Sequence, residues 1–98
     1  MREFIIKRTD GADFPSEFDL QPEEYEKCLK LPGFKDSTDP MQNYTFESTN
    51  ISLSFEPPGI QVVFEGEISD EKAESLVDTM TQCLSKKSGK PADYLQIT

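Results

Sequence analysis

Two runs of alternating apolar residues, separated by a proline-glycine break, constrain this chain more than any other feature. Ile51, Leu53 and Phe55 occupy odd positions, Pro57-Pro58-Gly59 interrupts, and Ile60, Val62 and Phe64 then occupy even ones. A period of two is the signature of a strand that buries one face. Proline and glycine in succession reverse the chain. The segment therefore predicts a hairpin with one apolar face, Val63 on the opposite side, and a second strand ending near Ile68.

That face needs a cover, and the next stretch supplies one. Ala73, Leu76, Val77, Met80 and Leu84 recur at helical spacing. Ser69 is suited to cap the first turn, with Asp70 and Glu71 at the positive end of the helix dipole. Lys86 and Lys87 suit the negative end, and Gly89 suits the left-handed residue that closes a helix.

The flanks add further elements. Residues 2–8 read as an interior strand, with Phe4 and Ile6 on one face and Ile5 on the other, broken by Asp10-Gly11. Residues 12–21 form an irregular acidic approach carrying Phe14, Phe18 and Leu20. A helix of about ten residues is expected from Pro22, with Tyr25, Cys28 and Leu29 on one side, ending at Pro32-Gly33. Residues 34–42 read as a loop. Tyr44 and Phe46 then alternate on even positions before Ile51 resumes on odd ones. The parity change requires a bulge or a turn near Ser48–Asn50; one long bulged strand is expected, with a tight hairpin as the alternative. Tyr94, Leu95 and Ile97 predict a terminal strand after Pro91.

Ninety-eight residues suffice for one core, so residues 1–98 are expected to form a single domain. The predicted class is α+β: a two-layer sandwich, an antiparallel sheet with two helices on one face, in the ferredoxin-like order β-α-β-β-α-β. A three-stranded meander with a loose tail is the alternative.

The chemistry is constrained mostly by what is missing. There is no histidine, hence no ordinary general base near neutral pH and no Ser-His or Cys-His pair. No phosphate-binding glycine loop or dinucleotide fingerprint occurs. Cys28 and Cys83 are too far apart in sequence for a zinc motif and read as small buried hydrophobes beside the helical stripes, neighbours if the helices lie side by side. Asp36-Ser37-Thr38-Asp39 lacks the calcium-loop pattern and reads as a turn. No catalytic residue, metal or cofactor is expected, and the chain reads as a binding protein rather than an enzyme; an enzyme working by carboxylates alone would need two acids converging in a pocket.

Charge is the positive signal. Nineteen acids against ten bases give a net charge of −9. Such a surface repels nucleic acid and anionic lipid and speeds encounter with basic proteins, although acidity also serves solubility. Between Asp36 and Glu71 there is no Lys or Arg. Glu71, Glu74 and Asp78 align on the second helix opposite its apolar stripe, an arrangement that suits either a partner or a solvated face. Asp13, Glu17 and Asp19 precede the first helix beside Phe14 and Phe18, with no base among residues 9–26. Those aromatics suit either interface anchors or a lid on the core edge. The expected partner-contacting residues are therefore Glu71, Glu74, Asp78, Asp13, Glu17, Asp19, Asp36 and Asp39.

The N-terminal Met1-Arg2-Glu3-Phe4-Ile5-Ile6-Lys7-Arg8 has no apolar stretch long enough for a signal peptide, and no segment is long and apolar enough to span a bilayer. The chain is expected in the cytoplasm, as a monomer or homodimer, without nucleic-acid or membrane partners. In this profile — short, acidic, a single domain, lacking histidine, cofactor motif and export signal — it resembles the small immunity proteins of bacterial contact-dependent inhibition and polymorphic toxin systems. The resemblance covers the whole chain in profile and carries no diagnostic motif. It implies an inhibitor that neutralises a basic toxin, a nuclease among the candidates, by direct contact. The other expectation is a structural or regulatory domain that self-associates through an exposed sheet face bearing Ile5, Val63 or parts of the aromatic strands.

Overall fold

The computed structural model describes every residue except Ala12 and Phe14. Along the chain, β1 (Arg2–Arg8), α1 (Pro22–Leu29), β2 (Lys35–Asp36), β3 (Tyr44–Phe46), β4 (Thr49–Glu56), β5 (Gly59–Gly66), α2 (Asp70–Ser88) and β6 (Ala92–Gln96) follow one another. The strands form one antiparallel sheet in the order β2-β3-β4-β5-β1-β6. The α+β class stands, but the expected order β-α-β-β-α-β is corrected to β-α-β-β-β-β-α-β. Both added strands lie between α1 and β4.

The first correction concerns residues 44–56. They are not one bulged strand: Phe46 pairs with Thr49 and Tyr44 with Ile51, so Glu47-Ser48 is a two-residue hairpin loop. Directly paired residues share a face, and this brings even-numbered Tyr44 to the same side as odd-numbered Ile51. Glu47 takes a φ of 54°, unusual for a residue with a side chain. On the neighbouring strand, Gly66 lies opposite Thr49, where a Cβ would come within 2.3 Å of the Ser48 carbonyl. Glycine lets the loop close against β5. The second correction is β2, expected as loop. Lys35 and Asp36 pair with Thr45 and Tyr44, yet both are exposed and carry no apolar alternation to announce a strand.

The core lies on one face of the sheet. Register places Phe4, Ile6, Ile51, Ile60, Val62 and Phe64 there, all fully buried, with Phe4 and Phe64 edge-to-face at 5.9 Å. Each such side chain contributes about 1.5–3 kcal/mol through burial. Helix α2 covers them with Ala73, Val77, Met80 and Leu84, as its periodicity predicts. Its ends also form as expected: Ser69 Oγ accepts the Lys72 N–H at 3.1 Å, and Gly89 closes the helix at a φ of 72°. Helix α1 starts at Pro22, and the Glu24 carboxylate accepts the Gln21 N–H at 3.0 Å. The opposite sheet face carries Glu3, Ile5, Lys7, Gln61 and Val63; contrary to the expectation of an exposed apolar face, Ile5 is buried there and Val63 is only partly exposed.

The cysteines supply a third correction. Cys28 of α1 and Cys83 of α2 are joined in a disulfide rather than packed as separate thiols. The helices do lie side by side, and the bond closes a 55-residue span. Among the described residues no free cysteine remains and no buried side-chain polar atom lacks a partner.

A candidate acidic interface

The seam between α2 and β6 brings Glu74, Asp78 and Asp93 near one side chain, Tyr94. Tyr94 lies on the covered face of the sheet, opposite Ile6. Its hydroxyl donates to Glu74 Oε1 at 3.2 Å. Partial burial pushes the Tyr94 phenol above its ordinary value, and the negative charges of Glu74, Asp78 and Asp93 add to the effect. Asp78 accepts from Gln82 Nε2 at 2.8 Å. A shallow cleft of about 680 Å³ adjoins these groups, lined by Asp78, Cys83 and Asp93, with Lys86 as its base. Glu71, one turn N-terminal to Glu74, is exposed, and its side chain has no ion pair or hydrogen bond among the described residues.

Two of the eight expected contact residues, Glu74 and Asp78, therefore converge at this seam, with Glu71 beside them on the same helix. Asp93 belongs with them and was missed, because a single acid in a short terminal strand carries no periodic signal. Its neighbour Tyr94 offered the only clue: a residue that faces the core brings the strand against a helix.

The other expected contacts separate. Asp19 pairs with Lys90 at 3.2 Å, and Asp36 with Lys30 at 2.9 Å. Asp39 accepts the Met41 N–H at 2.9 Å, as a turn residue does. Asp13 and Glu17 are exposed. The segment 9–26 contains no base of its own, but the fold brings two to it. Arg8 bonds the Asp10 carboxylate at 2.6 Å and the Glu17 carbonyl at 2.9 Å, and Lys90 reaches Asp19. Phe18 is fully buried, so it seals the core edge instead of anchoring a partner; its backbone N–H donates to the Tyr25 hydroxyl at 2.8 Å. Phe14 lies outside the described residues. Arg2 bonds Asp70, whose carboxyl is thereby held below its usual value.

No family model, curated protein or solved structure matches this chain. Among the described residues no group of three or more acids or cysteines is placed to hold a metal ion.

Proposed function

We propose that this protein is a non-catalytic binding protein that contacts a basic protein partner through the α2–β6 seam, in the manner of an immunity-type inhibitor. The observation that supports this reading is the grouping of Glu74, which accepts the Tyr94 hydroxyl at 3.2 Å, with Asp78 and Asp93, whose charges also act on that phenol. Three like charges around one side chain repel one another, and a cationic side chain docking there relieves that repulsion. A cation at the seam hydrogen-bonds carboxylates already held by Tyr94 and Gln82, so fewer rotamers need ordering on binding. The partner proposed is a basic toxin; nucleic acid and anionic membrane are disfavoured by the net charge of −9.

The compartment proposed from the sequence is the cytoplasm. Among the described residues no helix is long and apolar enough to cross a membrane. The Cys28–Cys83 bridge weighs on the other side, since such bonds persist mainly in oxidising compartments.

The test is association with a basic protein of known structure and with the acidic counterpart of the same fold, measured by stopped flow across a salt series. Rates with the basic protein should fall steeply between 50 and 500 mM salt, on the order of tenfold or more, and Glu74→Lys with Asp78→Lys should remove most of that slope. Salt-insensitive association would count against the seam.

A second reading is favoured by the opposite sheet face. Leu95 is 46% exposed on that face beside buried Ile5, and β6 is an edge strand. Such a face and edge suit pairing with a second copy. Light scattering at micromolar concentration decides it: a strict monomer removes the reading.

A further inference from the structure

The Cys28–Cys83 bond is covered unequally at its two ends. Cys28 is fully buried in the core cluster, whereas Cys83 is partly exposed. Cys83 also lines the α2–β6 cleft of about 680 Å³, together with Asp78 and Lys86 of α2 and Ala92 and Asp93 of β6. Among the described residues, none from α1 lines that cleft. A reagent entering it therefore meets the Cys83 end of the bond and not the Cys28 end.

Thiol–disulfide exchange is sensitive to which sulfur can be reached. The attacking sulfur approaches in line with the bond that breaks, so at Cys83 it must come from the side away from Cys28. The cleft, walled by α2 and β6, offers that approach without displacing α1. Attack at Cys28 would require its surroundings to open first, because α1 packs against α2 over that end of the bond. Local opening of this kind costs free energy that attack at Cys83 avoids. Charge does not decide between the two ends: Lys86 favours an arriving thiolate, while Asp78 and Asp93 oppose it. Access does.

We propose that Cys83 is a thiol-exchange site, the point at which a small thiol entering the α2–β6 cleft opens the bond between the helices. The thiolate sulfur bonds to Cys83 Sγ as the Cys28–Cys83 bond breaks, and the electron pair of that bond leaves on Cys28 Sγ, which takes a proton from water. The product carries a mixed disulfide on Cys83 and a thiol at Cys28. A second thiolate attacking the added sulfur then releases the small-molecule disulfide and leaves both cysteines reduced. Exchange at Cys83 requires no partner at the seam, and so stands apart from the basic-partner reading.

The test exposes folded wild-type protein to the small thiol cysteamine and quenches it with N-ethylmaleimide in mildly acidic guanidinium. Digestion and mass spectrometry then locate each group. The cysteamine adduct should sit on Cys83 and the maleimide on Cys28, with Cys83 favoured by about tenfold or more, the ratio that about 1.4 kcal/mol of local opening imposes. Protein already unfolded in guanidinium should divide the adduct evenly, since the fold is what hides Cys28. A Cys28→Ala variant that keeps the wild-type amide spectrum should accept the adduct at Cys83 from cystamine, whereas a folded Cys83→Ala variant should leave Cys28 unmodified. Adduct divided evenly between the cysteines of folded protein, or found mainly on Cys28, overturns the proposal. So does a bond that survives cysteamine in folded protein and is lost only from unfolded chains, since unfolding is then the sole route to it.

Discussion

Reduction of the Cys28–Cys83 bond should lower stability by an amount set by chain entropy. The bond closes a span of 55 residues, from α1 through four strands into α2. For a loop of that length, the restricted conformational freedom of the unfolded chain is equivalent to about 4 kcal/mol at 25 °C. A domain of this size has a total stability of about 5–15 kcal/mol, so the loss is a large fraction of it. The same change corresponds to a fall in Tm of about 15–30 °C. The assay is guanidinium unfolding followed by circular dichroism, with and without a phosphine reductant, accompanied by a free-thiol count. Reduction keeps both sulfur atoms in place, whereas Cys28→Ala with Cys83→Ala also empties part of the core, since Cys28 is fully buried. The double variant should therefore be less stable than the reduced protein by a further kcal/mol or so, about the cost of removing one buried sulfur. Midpoints that agree within error between oxidised and fully reduced protein would refute the reasoning, because the reduced unfolded chain regains the freedom that the bond removes.

Three further outcomes are expected. Gly59→Ala should destabilise by about 2–4 kcal/mol, because a Cβ there meets the Ile6 carbonyl at 2.5 Å, whereas Gly89→Ala, with open space around it, should cost about 1 kcal/mol from its left-handed backbone alone; urea midpoints compare them directly. Tyr94 should ionise above its ordinary value of 10.0, chiefly from partial burial and then from Glu74, and Glu74→Gln should move it part of the way back when followed by ring-carbon NMR. Because its folded value is raised, Tyr94 contributes stability that is present below about pH 10 and is lost as pH rises through the folded value; a Glu74→Gln variant with an unchanged Tyr94 titration would contradict the assignment. The Asp70 carboxyl, held down by Arg2, has the opposite sign, so its contribution is present above the unfolded value near 3.8 and disappears as acid titrates it; Arg2→Gln should remove that acid-side dependence in pH-resolved unfolding.

Local pattern carried far in this chain wherever one periodicity and one set of end signals agreed. The α2 helix, its Ser69 and Gly89 caps, the hairpin around Pro57-Pro58 and the interior position of β1 are all written in residues close together in sequence. The burial of Phe4, Ile6, Ile60, Val62 and Phe64 follows from alternation alone. Acid spacing on α2 likewise pointed to Glu74 and Asp78.

Everything that depended on distant partners was decided by the tertiary structure. A parity change is compatible with either a bulge or a turn, and the choice fell to the hairpin because Gly66, far along the chain, leaves room for the Ser48 carbonyl. The strand at Lys35–Asp36 exists only because β3 offers it a hydrogen-bonding edge. An acidic segment without bases of its own is partly neutralised by Arg8 and Lys90 from opposite ends of the chain. Two cysteines that read as separate hydrophobes become one covalent link once α1 and α2 are packed together, since a disulfide depends on proximity and not on sequence spacing. Sequence determines which faces are apolar and where the chain turns; packing determines which charges meet.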